Sequence, residues 1–195
     1  MQASICRMVL LAGACMTCGM ALAQHQNAPA EKAGQLDVAV TYSADRSSAL
    51  AGSSFWMQGG GVQIHGQFWK GLGAVGDVTA VHTNNITGTG VGLELVTATF
   101  GPRFTVSLDN QRLEIFGQAL AGVANGLNST FPNYPNPSST ANGMAVNIGG
   151  GVNVRLNARF SFRAAQLSWL RTGLPNSNGN VENQLLCGSG LVMHF

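Results

Sequence analysis

The chain has 195 residues, of which only 9% are charged and 26 are glycine, with a formal net charge of +2. A water-soluble domain usually has about a quarter of its residues charged, and a nucleic-acid partner would want a basic patch, so both classes fit badly. Three of the four cysteines (Cys6, Cys15, Cys18) fall in the first 23 residues. Cys187 stands alone beyond them, which excludes an intramolecular disulfide and a cysteine-based zinc site in the remainder.

Residues 1–23 read as a secretory signal peptide. Arg7 supplies the positive start, Met8 to Met20 is an apolar core without charge, and Ala21-Leu22-Ala23 is an A-x-A cleavage site that leaves Gln24 as the first mature residue. The apolar stretch is shorter than the ~20 residues of a spanning helix. Its removal takes one cation and no acid, so the mature chain is one near-neutral domain. Gln24 to Gln35 is polar, with Ala and Pro, and is expected to be a flexible periplasmic lead-in.

Eight strands are then expected, read from period-two alternation. Strand one is Leu36 to Ser43, with Val38, Val40 and Tyr42 opposite Asp37, Ala39, Thr41 and Ser43; a loop from Ala44 to Ser53 follows. Strand two, Ser54 to His65, places Trp56, Val62 and Ile64 against Gly59, Gly61, Gln63 and His65. After a turn at Gly66 to Lys70, strand three runs from Leu72 to Val81 with Asp77 and Thr79 inward, and His82 to Gly92 is a polar loop. Strand four, Leu93 to Phe104, contains Glu94, Pro102 and Arg103; its parity is ambiguous and Pro102 must interrupt a ladder. A turn on Asp109-Asn110 leads to strand five, Arg112 to Ala124. Leu127 to Ala141, with Pro132, Pro135 and Pro137, is the longest loop. Strand six, Met144 to Leu156, is the clearest, with Val146, Ile148, Val152 and Val154 outward and Asn147, Asn153 and Arg155 inward. Strand seven, Phe160 to Leu170, changes parity between Phe162 and Leu167, which a bulge near Ala164-Ala165 would reconcile. Thr172 to Asn183 is a polar loop, and strand eight is Gln184 to Phe195.

The connections alternate long and short, as outer loops and periplasmic turns do in a membrane barrel. Aromatics gather toward strand ends. Phe68, Trp69, Phe104, Phe116, Phe160, Phe162 and Phe195 lie toward the short turns, and Tyr42, Trp56 and Trp169 toward the long loops. Two such girdles around an aliphatic band mark the two membrane interfaces. A heptad beginning Gly59-Gly60-Gly61-Val62 is echoed by Gly149-Gly150-Gly151-Val152 four strands later, where a narrow barrel needs glycine for bends.

In the last strand Phe195, Met193, Leu191, Ser189, Cys187 and Leu185 share one face, and the strand ends on an aromatic. This resembles bacterial outer-membrane β-barrels, whose terminal aromatic is read by the assembly machinery; by that resemblance Phe195, Met193 and Leu191 form the assembly signal. With all eight strands placed, the chain looks like the eight-stranded group containing the OmpA transmembrane domain and OmpX. Local likeness lies in Gly101-Pro102-Arg103-Phe104, Phe116-Gly117-Gln118-Ala119 and Arg163-Ala164-Ala165-Gln166 followed by Trp169-Leu170-Arg171-Thr172. The resemblance implies a closed antiparallel up-and-down transmembrane barrel over residues 36–195, with both termini periplasmic, outer-membrane lipids and the assembly machinery as partners, and no cofactor.

An eight-stranded lumen is filled by side chains, so the charges inside it must pair. The expected network joins Asp37, Asp77 and Glu94 with Arg155 and Arg163. Gly71-Leu72-Gly73-Ala74-Val75-Gly76 matches GxGxxG in letters only, because no helix follows. His65 and His194 face inward toward the short-turn end, with Ser43, Ser161 or Ser168 expected somewhere in the lumen, while His82 falls in a loop. Function is expected in the long loops as surface contact, with Phe131 and Tyr134 as contact aromatics. Two alternatives make different demands. A lipid-modifying outer-membrane enzyme would need a Ser/His/acid cluster at one rim. A soluble lipocalin-like barrel would need aliphatic residues inside and polar ones outside.

Overall fold

The alternation closes into a barrel. The computed structural model describes residues 34–50, 53–86, 90–108, 112–132, 136–176 and 180–195. Its strands are β1 (Leu36–Leu50), β2 (Ser53–Trp69), β3 (Leu72–Thr83), β4 (Leu93–Leu108), β5 (Leu113–Leu127), β6 (Ala141–Arg155), β7 (Phe160–Thr172) and β8 (Glu182–His194). Each pairs antiparallel with the next, and β8 returns to β1. The seam runs from Asp37↔His194 to Ser47↔Gln184 without a register shift, and the Phe195 amide donates to the Leu36 carbonyl at 2.9 Å. The proposed cleavage site at Ala21, Ala23 and Gln24 lies outside the described residues, as do Tyr134 and the Asp109-Asn110 turn.

The two faces of the sheet have opposite chemistry. Val40, Val62, Ile64, Val78, Ile148 and Leu191 point out and are exposed, while Thr41, Gln63, Asp77, Thr97, Gln118 and Asn147 point in and are buried. A soluble ligand-binding barrel would show the reverse. With lipid outside, every backbone amide must pair within the sheet, which only a closed barrel achieves.

The strands are longer than their sequence signature. Lengths of 12 to 17 residues exceed the ~9–11 that a tilted strand needs to cross the hydrocarbon. The expected loop at Ala44 to Ser53 is instead a continuation of β1 and β2, paired as far as Leu50↔Ser53. Asp45 and Ser47 are inward and buried there and Arg46 is outward. Polar residues alternating with polar residues carry no hydropathy contrast, which is why this stretch reads as a loop.

Two irregularities absorb chemistry that a regular ladder could not. Pro102 has no amide hydrogen to donate. It faces outward, and the β4–β5 ladder passes from Phe100↔Ala121 to Arg103↔Gln118 around it with the register intact. In β7, Arg163 pairs with Gly190 and Gln166 with Gly188, so one extra residue sits at Ala164-Ala165. That bulge lets Phe160 and Phe162 face outward along with Leu167 and Trp169. The GxGxxG letters fall on the β2–β3 turn, where Gly71 has φ +79°, and on β3 itself; no helix follows.

The faces make a quantitative prediction. Val62→Arg, at mid-strand on the outer face, should lower stability in lipid vesicles by about 2–4 kcal/mol, and Ser54→Arg near the strand end by about 0–1 kcal/mol. Denaturant titration of the vesicle-inserted protein measures both; equal small effects would mean that the face meets water.

Candidate functional site

The middle of the lumen is organised by one amide. Gln63 Nε2 donates to Asp77 Oδ2 at 2.7 Å, while Gln63 Oε1 accepts from Arg103 Nη2 and from Arg163 Nη1, both at 2.6 Å. Thr79 Oγ1 adds a bond to Asp77 Oδ1 at 3.0 Å. Arg103 also donates from Nε to Gln118 Oε1 at 3.0 Å, and Arg163 from Nε to Asn153 Oδ1 at 3.0 Å. Both guanidiniums lie on the Phe116 ring, 4.3 and 4.7 Å from its centroid. A cation over an aromatic face is stabilised by the ring quadrupole, most strongly where water is absent. Gly151 makes room for that ring, since a Cβ there would come within 2.8 Å of Phe116 Cζ.

This differs from the expected charge network in membership and in wiring. Asp37, Asp77 and Arg163 are inward and buried or half-buried. Arg155 is inward but at the short-turn mouth, where Nη1 lies 3.8 Å from Glu114 Oε1. Glu94 is a correction: β4 buries its odd-numbered residues, so Glu94 faces outward near the long-loop end, where it accepts from Asn128 Nδ2 at 3.0 Å. The same parity brings in Arg103, which the sequence reading left unassigned. Phe116 is the second correction. It belongs to the lumen, not to the short-turn girdle. The residues expected as girdles, Tyr42, Trp56 and Trp169 at one end and Phe68, Trp69, Phe104, Phe160 and Phe162 at the other, are exposed on the outer face, as are Leu191, Met193 and Phe195. Phe100 lies between them, also exposed.

Toward the long loops the lumen holds an apolar cluster beside the buried polar residues Asp45, Ser47, Glu182 and Gln184. Phe55, Met57, Leu93, Leu95, Leu170 and Leu186 pack with Phe131 and Leu174, which fold in from the β5–β6 and β7–β8 loops. Phe131 is therefore a stopper and not a surface contact. It is held by paired backbone bonds with Ser138 at 2.8 and 3.0 Å and fits over Gly126, where any side chain would strike its ring.

At the opposite mouth a polar cluster straddles the seam. Asp37 Oδ1 lies 2.7 Å from His194 Nδ1, and Asp37 Oδ2 lies 3.2 Å from His65 Nδ1. His194 Nε2 lies 2.7 Å from Ser161 Oγ. Gln35 Nε2 donates to Asp37 Oδ1 at 3.1 Å. Of the three candidate serines, Ser43 and Ser168 are also buried in the lumen, but Ser161 is the one bonded to a histidine. His82 is exposed on the outer face of β3.

No protein-family model matches the chain, and no curated protein matches its sequence. Solved structures do match. Neisserial surface protein A aligns with a TM-score of 0.65, covering 83% of this chain and 99% of that one at 13% identity. The Yersinia pestis attachment invasion locus protein Ail, in complex with the heparin analogue sucrose octasulfate, gives 0.58 over 84% and 100% at 15% identity. OprG of Pseudomonas aeruginosa gives 0.50 over 85% and 97% at 12% identity. The fold is that of the eight-stranded outer-membrane β-barrels.

The interior of an eight-stranded barrel is filled by side chains, and the buried Gln63 network lies across its middle. Gln63→Leu would leave two guanidiniums without their shared acceptor and Asp77 with the Thr79 hydroxyl in place of two donors. It should cost about 3–5 kcal/mol, the range for breaking a buried charged network. The temperature at which the folded, fast-migrating band converts on electrophoresis reads this loss; an unchanged midpoint would show that water replaces the amide.

Proposed function

We propose that the chain is a small integral protein of the bacterial outer membrane that acts at the cell surface through its long loops. It is exported by the signal at residues 1–23, inserted by the barrel-assembly machinery through its C-terminal strand, and held with both termini periplasmic. The observation that carries this reading is a lumen crossed by buried side chains, with loop residues packed into the mouth at one end. Gln63, Arg103, Arg163 and Phe116 are buried in the middle of the barrel, which argues against a solute channel, and Phe131 and Leu174 tie the loops to the strands. Two fold neighbours bear names of surface or attachment proteins, which supports a surface role without specifying a ligand.

The loops themselves narrow the partner. Residues 84–92, 128–140 and 173–181 contain no charged side chain; they are Asn, Ser, Thr, Gly and Pro with a few apolar residues. A polyanion such as the heparin analogue bound by Ail would find no cation in them. Their chemistry suits an uncharged partner surface met by hydrogen bonds and by proline and aromatic contacts. A cleft between the loops, bordered by Ile86, Ser129, Thr130, Pro132 and Pro175, offers such a surface, with Glu182 in its lining as an acid that would itself repel a polyanion.

An epitope inserted in place of residues 132–137 tests the reading, because it spares the Phe131 stopper. Antibody should label intact cells, and the protein should fractionate with the outer membrane as a heat-modifiable band. A soluble periplasmic protein without a heat shift would overturn the assignment. Sucrose octasulfate should not bind; binding that weakens with salt would overturn the uncharged-partner reading.

A further inference from the structure

The long-loop end of the lumen buries two acids beside no cation. Asp45 of β1 and Glu182 of β8 point inward and are 0% and 6% exposed, and the charge of Glu182 acts on Asp45. Among the described residues neither makes an ion pair. The arginines nearest in sequence to this wall, Arg46 and Arg171, face outward and are exposed. Both carboxylate oxygens of Asp45 and Oε2 of Glu182 have no hydrogen-bond partner among the described residues. Three neutral oxygens share that condition: Ser47 Oγ, Thr172 Oγ1 and Gln184 Oε1, in side chains no more than 1% exposed. Strand pairing sets these groups on one wall. Ser47 follows Asp45 on the inward row of β1 and opposes Gln184, while Glu182 is the next inward residue of β8 and opposes Thr172 of β7.

A buried carboxylate left unpaired is costly, and a second one nearby adds repulsion. A bridging water would satisfy two acceptors and leave both charges uncompensated. A divalent cation offsets both, and a set of carboxylate, hydroxyl and amide oxygens is the ligand chemistry of a hard cation, which takes six to eight oxygens with water among them. Glu182 also lines the cleft of about 140 Å³ between the loops, next to Ser129 and Thr130, so an ion from the outer solution meets this acid on entry. We propose that the outer mouth binds one calcium ion between Asp45 and Glu182, with Ser47, Thr172 and Gln184 Oε1 as neutral oxygen donors and water in the remaining positions. The ion ties the end of β7 and the start of β8 to β1, beside the loop anchor Leu174. The site goes beyond the surface-contact reading and holds whether or not the loops meet a partner.

The full-length exported protein, purified from membranes in a zwitterionic detergent, stripped with EDTA and verified by its heat-modifiable band, is titrated with calcium chloride in a calorimeter. The expected result is one saturable site with a Kd of ~0.1–1 mM, the range of extracellular calcium modules. The folded band should also convert at a higher temperature in ~10 mM calcium than in EDTA, because the ion binds only the folded barrel. Asp45→Asn should weaken calcium binding at least ~10-fold and lose the temperature rise. Glu94→Gln, which removes an acid on the outer face at the same end, should change neither. A parent protein with no heat of binding and no calcium-dependent conversion temperature overturns the proposal. So does binding retained by both Asp45→Asn and Glu182→Gln, which would place the ion elsewhere. If Asp45→Asn loses the heat-modifiable band, Glu182→Gln at the cleft decides alone: binding weakened ~10-fold supports the site, and binding equal to the parent's overturns it.

Discussion

The interior depends on how two guanidiniums are kept in a space too narrow for bulk water. Direct carboxylate pairing would be the obvious solution, yet among the described residues neither Arg103 nor Arg163 makes an ion pair. Instead a neutral amide stands between charge and countercharge. Gln63 accepts from both cations and donates to Asp77, so its dipole links them. The Phe116 ring then supplies a second, nonpolar surface on which the positive charge is tolerated. A buried charge is costly unless it is hydrogen-bonded, and the Gln63 amide gives one acceptor to each guanidinium and one donor to Asp77, with Gln118, Asn153 and Gln166 taking further guanidinium bonds. The remaining strands, β1 and β8, close the frame that brings β2 to β7 to this one point.

The class and architecture were legible because lipid imposes a pattern that water does not. Val146, Ile148, Val152 and Val154 alternating with Asn147 and Asn153 leave little choice for β6, and the bulge at Ala164-Ala165 followed from aromatics on two parities. What could not be read was where both faces had similar polarity. Ala44 to Ser47 looked like a loop because Asp45 and Arg46 carry no contrast, and Leu93 to Phe104 offered apolar residues on both faces. One clue was available for that strand. Taking Phe104 as a girdle residue fixes its face outward, which sends Arg103 in and Glu94 out. Phe116 misled because an aromatic near a short turn fits either an outer girdle or a lumenal platform; only the two arginines distinguish them. The mouth cluster was partly visible as inward His65 and His194, but the choice of Ser161 depended on the β7–β8 register, which the bulge conceals.

The lumen is thus divided along its length. One end combines an apolar cluster of strand and loop residues with the buried Asp45 and Glu182, the centre is a charged platform, and the other end is a hydrogen-bonded polar cluster at the mouth. The loop anchors need apolar packing to order polar chain, and the imidazoles at the other mouth are buried against Asp37.

The seam also governs how the barrel is reached in time. Its closing pairs join residues as distant in the chain as Asp37 and His194. Until they meet, β1 and β8 each present a row of unpaired amides, and in hydrocarbon every such group costs several kcal/mol. A sheet of seven strands is therefore not a resting state inside the bilayer. Closure of the β1–β8 seam is thus coupled to insertion, and it carries the loop-closure entropy of bringing the two ends of the barrel sequence together.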